Sequence, residues 1–451
     1  MREEARGRAE PGARGAASGF ARLALPAGLV GLLVATGTFR SAQNMAQTTL
    51  ALLGRQDFRL SDAAIGALGA LWGLLGVTVT VVVASRIPTA RARRAAAVGL
   101  ALLVLALLVF ALAHSLALLV AAVIVMGAAG GLAGPSLATA AGSAGGEQGQ
   151  RALGLYALVL SASLAVGPLL EAAVLGLAQQ ALRIPFAVFA GLPIVGLVAL
   201  ESGRRQRARA PSATGSVGSD GTGAVASVPG EARPGEPLPG RVVRGASATE
   251  PDPVGRRATK GSLLRVPGWR LALVAQLLYT IPFAGIVVFG PLVGHVRFGV
   301  SPSVVQLAFT VFFVTSFAAR AVVLWKTPIR RKLPLFWLAA GLTASGIALL
   351  GLGNGLGLLL LAMGVLGIPH GLTFPLVLSL VAESCPGEAL ARANATLMAV
   401  TNLTTIAVPF VLGTLVPALG YGGMVLTMLL PVAVFAALLA RQQGPAVGTG
   451  T

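Results

Sequence analysis

Residues 95–113 read AAAVGLALLVLALLVFALA, and residues 115–141 read SLALLVAAVIVMGAAGGLAGPSLATAA. Neither stretch contains a charged residue, and only His114 separates them. The hydrocarbon core of a bilayer is about 30 Å thick, and an α-helix rising about 1.5 Å per residue needs about 20 apolar residues to cross it. Both stretches are close to or above this length, so they predict two consecutive membrane-spanning helices.

The composition of the whole chain predicts the same environment. Of the 451 residues, 55% are hydrophobic and only 11% are charged, whereas about 25% of the residues in a soluble domain are charged. These values exclude a soluble enzyme, a disordered protein and a secreted disulfide scaffold. Cys385 is the one cysteine, so no intrachain disulfide can form. Residues 1–20 contain both Arg and Glu and no short apolar core, so we expect no cleavable signal peptide.

Apolar stretches of spanning length recur along the chain, and we count twelve of them. The predicted fold is an all-α membrane protein with twelve transmembrane helices. The predicted bounds of these helices are 22–52, 63–84, 95–113, 115–141, 152–176, 184–200, 268–294, 303–325, 333–352, 355–382, 393–417 and 421–440.

The charge of the chain is strongly positive, at +19, with 34 Lys and Arg against 15 Asp and Glu. A balance of this kind can indicate a nucleic-acid partner. Here, however, the cations cluster in the loops after the second and eighth predicted helices, at 86–94 and 326–332. Loops rich in Lys and Arg remain on the cytoplasmic side during membrane insertion. We therefore predict no nucleic-acid partner, a multi-pass protein of the cell membrane, and cytoplasmic termini.

Residues 202–265 differ from the rest of the chain, because they consist of arginines followed by Gly, Ser, Pro and Ala without an apolar period. Such a segment cannot bury enough apolar surface to repay its ordering entropy. We predict a disordered cytoplasmic linker between an N-terminal six-helix bundle at 22–201 and a C-terminal one at 266–441. Residues 1–21 and 442–451 are predicted to be cytoplasmic tails.

The two predicted bundles echo each other in sequence. Arg22-Leu-Ala-Leu opens the first predicted helix, and Arg270-Leu-Ala-Leu opens the seventh. Pro168 in the fifth helix corresponds in order to Pro409 in the eleventh. These matches keep their order along the chain, which indicates a parallel repeat related by an axis along the membrane normal.

This organisation resembles the major facilitator superfamily of secondary transporters over residues 22–441. The resemblance rests on six helices plus six, a long central linker, and basic loops after the second and eighth helices. It implies two bundles that rock about a central binding site, no cofactor and a small-molecule substrate. We also expect a monomer embedded in the lipid bilayer.

Two short motifs add to the resemblance. Arg93 and Arg94 match the final arginines of the family's loop motif, although the acid and the glycine of that motif are absent here. Gly154, Gly167 and Pro168 match a fifth-helix pattern of the family's proton-driven exporters, in which other glycines are replaced here. The second match favours an exporter.

Polar residues form one stripe on the first predicted helix. Arg40, Gln43, Asn44 and Gln47 follow the spacing i, i+3, i+4, i+7, which places them on one helical face. In the family that this chain resembles, the first helix lines the central cavity. The resemblance therefore implies that the stripe binds substrate and that the guanidinium of Arg40 binds an anionic group through paired hydrogen bonds. The alternative is interhelical hydrogen bonding, with Arg40 reaching toward the outer interface.

Glu171 is the one acid placed well inside a predicted helix. Burial in an apolar environment disfavours a charged carboxylate, which suits a proton carrier. Two alternatives stay open. Glu171 forms an ion pair with Arg40, or it neither carries a proton nor pairs with Arg40. In the second bundle, the further candidates for substrate binding are each also explained by helix–helix hydrogen bonding. They are Gln276, Tyr279, His370 and Asn402. Arg320, near the inner end of the eighth predicted helix, is expected to snorkel to the interface.

Several kinds of chemistry lack their motifs in this sequence. No lysine follows a glycine, so the Gly-Lys-Ser/Thr phosphate loop of an ATPase is missing. One cysteine and three scattered histidines make no zinc site. The leading prediction is therefore a secondary transporter of a small organic solute, coupled to an ion or proton, and not an enzyme. The alternatives are uptake or facilitated diffusion of an organic anion bound by Arg40, and a membrane subunit of an ATP-driven system or a membrane enzyme.

Overall fold

The structure is a computed structural model that describes residues 27–143, 146–209, 263–326, 329 and 331–441. Most of the predicted linker, at 210–262, lies outside the described residues, as do both predicted tails. Within the described residues the secondary structure is helical and contains no strand. The prediction of an all-α fold is confirmed.

The N-terminal half contains seven helices in its described residues, joined by short connections. Two of the helices begin at serines whose side chains cap a backbone amide, because the first N–H groups of a helix lack intrahelical partners. Ser61 Oγ accepts from the amide of Ala64, and Ser115 Oγ accepts from that of Leu118. The helices are α1 (Ala27–Gln56), α2 (Asp62–Val82), α3 (Ala92–Leu112), α4 (Leu116–Gly142), α5 (Gly146–Leu177), α6 (Arg183–Phe189) and α7 (Gly191–Arg209).

The C-terminal half contains six helices in its described residues. A short π-helical turn at Val293–Arg297 follows the first of them. The helices are α8 (Pro267–Leu292), α9 (Pro302–Trp325), α10 (Leu333–Leu352), α11 (Leu356–Ser384), α12 (Glu388–Thr427) and α13 (Leu429–Arg441).

Among the described residues, ten helical segments are long and apolar enough to cross a membrane. One of them, Arg392–Arg441, has 50 residues, which far exceeds the length of a single crossing. It is interrupted at Gly420, whose φ of 65° is not helical, and this break lies between the predicted helices 393–417 and 421–440. The helix α1 is not among the ten. The chain is thus a multi-pass membrane protein, while the predicted count of twelve is not confirmed.

The two ends of the helix bundle differ in charge. The end that carries the α2–α3 loop, with Arg86 and Arg91, and the start of α10, with Arg331 and Lys332, is called the basic face below. The other end, called the opposite face, carries the α1–α2 connection. Arg183 Nε lies 2.8 Å from Asp57 Oδ2 there, so that face pairs its few charges locally.

The N-terminal and C-terminal halves meet mainly along two pairs of helices, α2 with α12 and α5 with α9, and α1 makes a smaller contact with α8. Near the opposite face, the backbones of α2 and α12 approach so closely that only glycine fits. A Cβ added at Gly66 would lie 2.4 Å from the carbonyl oxygen of Pro409, and one at Gly413 would lie 2.5 Å from that of Asp62. Gly66 and the next glycines along α2 therefore face the C-terminal half.

Side-chain hydrogen bonds between the halves also lie at the opposite face. Tyr421 Oη donates to Asp62 Oδ1 at 2.6 Å. His295 Nε2 lies 2.7 Å from Gln56 Nε2, and His295 Nδ1 lies 2.9 Å from the carbonyl oxygen of Val300. The amide of Gln180 bonds both the side chain and the backbone N–H of residue 303. In this conformation the halves are closed against each other at the opposite face.

Other glycines serve packing inside the N-terminal half. Gly127 and Gly131 of α4 cross α2 at Gly76, and a Cβ at Gly131 would lie 2.3 Å from the carbonyl oxygen of Gly76. The glycines of α2 are thus divided between tight packing on α4 and contact with the C-terminal half.

The substitution Gly131→Ala should lower the free energy of unfolding by about 1–3 kcal/mol, because the added methyl group forces two packed backbones apart. Gly176→Ala is the matched control, since nothing lies within 4 Å of a Cβ at that position. Thermal unfolding of the purified variants measures the difference. An equal melting temperature for the two variants would show that the α2–α4 crossing tolerates extra volume.

Candidate functional site

A cavity of about 440 Å³ lies between the two halves of the chain. It reaches the surface, because Asn402 both lines it and is exposed. The four residues of the predicted α1 stripe all line this cavity. The lining includes Arg40, Gln43, Asn44 and Gln47 from α1, Trp72 from α2, Tyr156 from α5, Phe283 and Val288 from α8, Phe313 from α9, and Asn402 from α12.

Arg40 provides a positive charge to this cavity. It lies near the middle of α1, and its Nη1 donates to Gln43 Oε1 at 2.9 Å, one helical turn away. Its Nε is buried and has no hydrogen-bond partner. Arg40 thus bonds a residue of its own helix, and the choice between substrate binding and a reach toward the outer interface stays a prediction.

Asn44, the third residue of the stripe, helps to hold α5 against α1. Proline has no N–H, so Pro168 leaves the carbonyl of Leu164 without its helical donor. Asn44 Nδ2 donates to that carbonyl at 3.2 Å. Gly167 lets the helices approach at this point, since a Cβ there would lie 2.8 Å from the carbonyl oxygen of Ser41. The matched Gly167-Pro168 pair is thus the place where α5 packs on α1.

Glu171 lies in the same α1–α5 contact and is completely buried. Thr48 Oγ1 lies 3.4 Å from one carboxyl oxygen of Glu171, and the hydroxyl of Thr49 contacts the other. Both hydroxyls also lie about one hydrogen-bond length from the carbonyl oxygen of Met45, so each hydroxyl proton has two acceptors to choose from. Glu171 does not contact Arg40 in the described structure, which leaves the ion-pair alternative without support.

His370 belongs to an aromatic cluster inside the C-terminal half. Its Nδ1 lies 2.6 Å from Ser316 Oγ, and its ring centroid lies 4.5 Å from that of Phe283 and 5.3 Å from that of Tyr279. Phe312 completes the cluster. Phe313 also contacts His370, and the cluster reaches the cavity through Phe283 and Phe313, whereas Tyr279 and His370 do not line the cavity.

Gln276 also lies away from the cavity. Its Nε2 donates to Thr280 Oγ1 at 2.9 Å, within the same helix, and its Oε1 is buried without a partner. Of the four candidates predicted in the C-terminal half, the structure therefore places only Asn402 on the cavity wall.

Three residues that sequence reasoning did not assign to the site lie beside it. Tyr156 lines the cavity, and its hydroxyl lies 3.3 Å from the carbonyl oxygen of Gly134. Arg320 Nη1 donates to Ser161 Oγ at 2.5 Å, across the boundary between the halves. The expectation that Arg320 snorkels to the interface is wrong, because its guanidinium points to α5 and its Nε is buried. One signal for this position was available in the sequence, because Arg320 is a cation five residues before the end of the predicted helix 303–325.

The sequence of the chain can now be placed among known proteins. A family model described as Major Facilitator Superfamily matches residues 29–336, well over half of the chain. The chain belongs to the major facilitator superfamily. This transporter is therefore not an enzyme, as the sequence predicts.

Solved transporters share the fold of this superfamily member over nearly its whole length. It is similar to the nucleoside transporter NupG at 13% identity and a TM-score of 0.62, covering 93% of this chain and 99% of that one. It is also similar to a POT family transporter in complex with 5-aminolevulinic acid, at 14% identity and a TM-score of 0.66, covering 93% of this chain and 97% of that one. A third similar structure is a bacterial homolog of the human lysosomal transporter Spinster in an inward-facing and occupied conformation. The identity is 14% and the TM-score 0.62, covering 92% of this chain and 96% of that one. No curated protein matches the chain.

The remaining motif residues of this transporter lie at its basic face or in open space. Arg93 Nη2 donates to the carbonyl oxygen of Gly28 at 2.9 Å and so ties the start of α3 to α1. Arg94 is exposed beside it. Nothing lies within 4 Å of a Cβ at Gly154, so this position of the exporter pattern has no packing partner here. Gly167 and Pro168 are the part of that pattern with a structural partner.

Proposed function

We propose that this protein is a secondary transporter that moves a small organic solute across the cell membrane by alternating access. The observation that carries the proposal is the cavity between the halves, which has a polar α1 wall and an apolar α8–α9 wall. A site between two similar bundles is exposed to one side and then the other when the bundles rock. The chain has no phosphate-binding lysine motif, so a solute or proton gradient drives the movement.

The proposed topology has twelve spans in two bundles, residues 22–201 and 266–441. It counts α1 as the first span and divides α12 at Gly420, which separates the eleventh span from the twelfth. The basic face is cytoplasmic in this proposal, because Lys and Arg in short loops stay on that side. Both termini are then cytoplasmic, and the described conformation is closed to the outside. The linker at 202–265 is cytoplasmic and lies between the bundles in sequence.

A counterflow assay tests the proposed function. Purified protein is reconstituted in proteoliposomes that are loaded with a panel of unlabelled solutes, and accumulation of the labelled solute is followed with and without a pH gradient. A carrier accumulates label transiently against an excess of internal solute without any energy source. Turnover that needs a co-purified ATPase, or a chemical change in the solute without transport, would instead favour a subunit of an ATP-driven system or a membrane enzyme.

We further propose that Glu171 carries a coupling proton and that net transport runs toward export. The support for Glu171 is its complete burial without a cation and its contact with two hydroxyl groups that can donate or accept. The support for export is the matched Gly167-Pro168 pair, which packs α5 on α1 close to this carboxyl group.

The substitution Glu171→Gln should abolish the dependence of transport on a pH gradient but leave counterflow exchange largely intact. Glutamine keeps the shape and one acceptor oxygen, while it cannot gain or lose a proton in the working pH range. Gradient-driven transport and counterflow are measured on the same vesicles. Thr49→Val is a companion variant that removes the hydroxyl contact and keeps the carboxyl group. An unchanged pH dependence in Glu171→Gln would remove the proton role and leave a packing role.

A further inference from the structure

The interior of the molecule contains two arginines without a matching acid. Arg40 lies in the middle of α1, and Arg320 lies within α9. Neither forms an ion pair with any of the described residues, and the acids Asp57, Asp62 and Glu383 pair with other cations. A cation inside a membrane span costs about 2.5–3.5 kcal/mol on insertion scales unless a partner or water receives it. The two guanidinium groups thus need a counter-charge that the described residues do not supply.

The two arginines also face the same region from different halves. Arg40 lines the cavity from α1, and Arg320 bonds Ser161 of α5, which directly follows the cavity-lining Leu160. On α9, Arg320 follows the cavity-lining Phe313 by seven residues, which is two helical turns on the same face. The Arg320–Ser161 contact therefore lies beside the cavity, although neither residue lines the cavity in this conformation.

Both guanidinium groups have donors to spare. An arginine has five N–H donors, and the Nε of Arg40 and the Nε of Arg320 are both buried without a partner. Ser161 is a weak partner for a cation, because its hydroxyl carries no charge and already donates to the carbonyl of Ala157 at 2.9 Å. A planar carboxylate, in contrast, matches the guanidinium fork in both charge and geometry.

The wall that faces these cations is aromatic. Phe283 and Phe313 line the cavity, and behind them Phe312 packs against Phe313 at 5.0 Å between ring centroids. Trp72 contributes a further ring from the N-terminal half. A cavity with cations at one place and rings at another suits a ligand with one acid group and one aromatic group.

We propose that the cavity binds an aromatic carboxylate, whose acid group is held by Arg40 from one half and Arg320 from the other. Binding transfers Arg320 from Ser161 to the carboxylate. This inference rests on the proposed function, because it names the substrate class of the same cavity and makes Arg320 a specificity-determining residue. A ligand held from both halves also links occupancy to their closure.

Binding to the purified full-length protein in nanodiscs tests this inference without any need for transport. Three probes separate charge from ring: phenylacetate has both, phenylacetamide has the ring without the charge, and acetate has the charge without the ring. Phenylacetate should raise the melting temperature in a saturable way, and the other two should have little effect. Equal shifts from phenylacetate and phenylacetamide, or no shift from phenylacetate, would overturn the proposal.

Variants locate the carboxylate. Arg320→Gln should weaken phenylacetate binding by on the order of 30-fold, as expected when one partner of a buried charge pair is truncated. Arg331→Gln, at an exposed position on the basic face, should bind normally. Ser161→Ala should bind as tightly as the unmodified protein or more tightly, because it removes the group that competes for Arg320. If Arg320→Gln does not fold, Arg320→Lys keeps the charge and should retain part of the affinity.

The outcomes separate this inference from the proposed function. Charge-dependent binding of phenylacetate that requires Arg320, combined with an absence of counterflow, would keep the anion site and reject secondary transport. Counterflow of neutral solutes that is unaffected by Arg320→Gln would keep secondary transport and reject the anion site. Normal phenylacetate binding by a folded Arg320→Gln variant would assign the carboxylate to Arg40 alone and overturn the role of Arg320.

Discussion

Replacing Arg40 with glutamine should reduce the initial rate of counterflow by at least about 30-fold, since truncating one partner of a buried charged contact costs about 2 kcal/mol or more. Arg40 is the cation on the polar wall of the cavity, and Gln43 holds its Nη1 in place. Its removal should leave folding intact, because it relieves an unpaired charge in the membrane interior rather than breaking an ion pair. Uptake into proteoliposomes with matched protein content measures the loss.

Two further variants define this result. Arg91→Gln removes an exposed cation from the basic face and should transport normally. Gln43→Ala removes the side chain that orients Arg40 and should give a smaller loss than Arg40→Gln. Near-normal transport by both Arg40→Gln and Gln43→Ala, at normal expression, would show that the α1 stripe only holds helices together.

Substituting Gly66 with leucine should hold the transporter open at the opposite face and slow transport by on the order of tenfold or more, since overpacking a close contact costs about 1–3 kcal/mol. The Cβ alone would lie 2.4 Å from the carbonyl oxygen of Pro409, so α2 and α12 must separate. The contact exists only when the halves are closed at this face. The open conformation loses nothing, and the equilibrium between the two shifts toward it.

Labelling of an introduced cysteine measures this shift. In a Cys385→Ala background, Val288→Cys places a thiol on the cavity wall near the opposite face. A membrane-impermeant maleimide added from that face should react faster with this thiol when Gly66→Leu is also present. Gly341→Leu is the control, because nothing lies within 4 Å of a Cβ there. Unchanged labelling and transport in Gly66→Leu would mean that the α2–α12 contact is not part of the closure.

Local sequence determines most of the helices. Charge-free runs such as 95–113 and 115–141 have a single stable form in lipid, because a helix satisfies every backbone hydrogen bond internally. Their predicted bounds lie within a few residues of α3 and α4. The number of crossings is harder to predict, since α1 is diluted by its polar stripe and α12 continues through two predicted spans with a break at Gly420.

The rotation of each helix about its axis explains which site residues could be predicted. The α1 stripe has a polar period against an apolar background, so its facing follows from the sequence. In α8 and α11, Gln276 and His370 have polar neighbours only within about one turn, Thr280 and Thr373, so no long polar stripe shows which way these residues face. Both residues point into the C-terminal half, where they bond Thr280 and Ser316. The position of the Arg320 side chain could not be predicted either, because its partner Ser161 belongs to α5, which is distant in sequence.

The hydrogen bonds that close the opposite face have a consequence for the conditions in which this protein works. Tyr421 with Asp62, Gln56 with His295, and Gln180 with Ser303 join the halves there, and none of these contacts pairs a cation with an anion. Dissolved ions weaken exposed charge pairs strongly but neutral hydrogen bonds very little. The energy needed to separate the halves at the opposite face should therefore change little with salt concentration, apart from the share of Asp62, whose carboxylate also lies 3.9 Å from Arg55 Nη1.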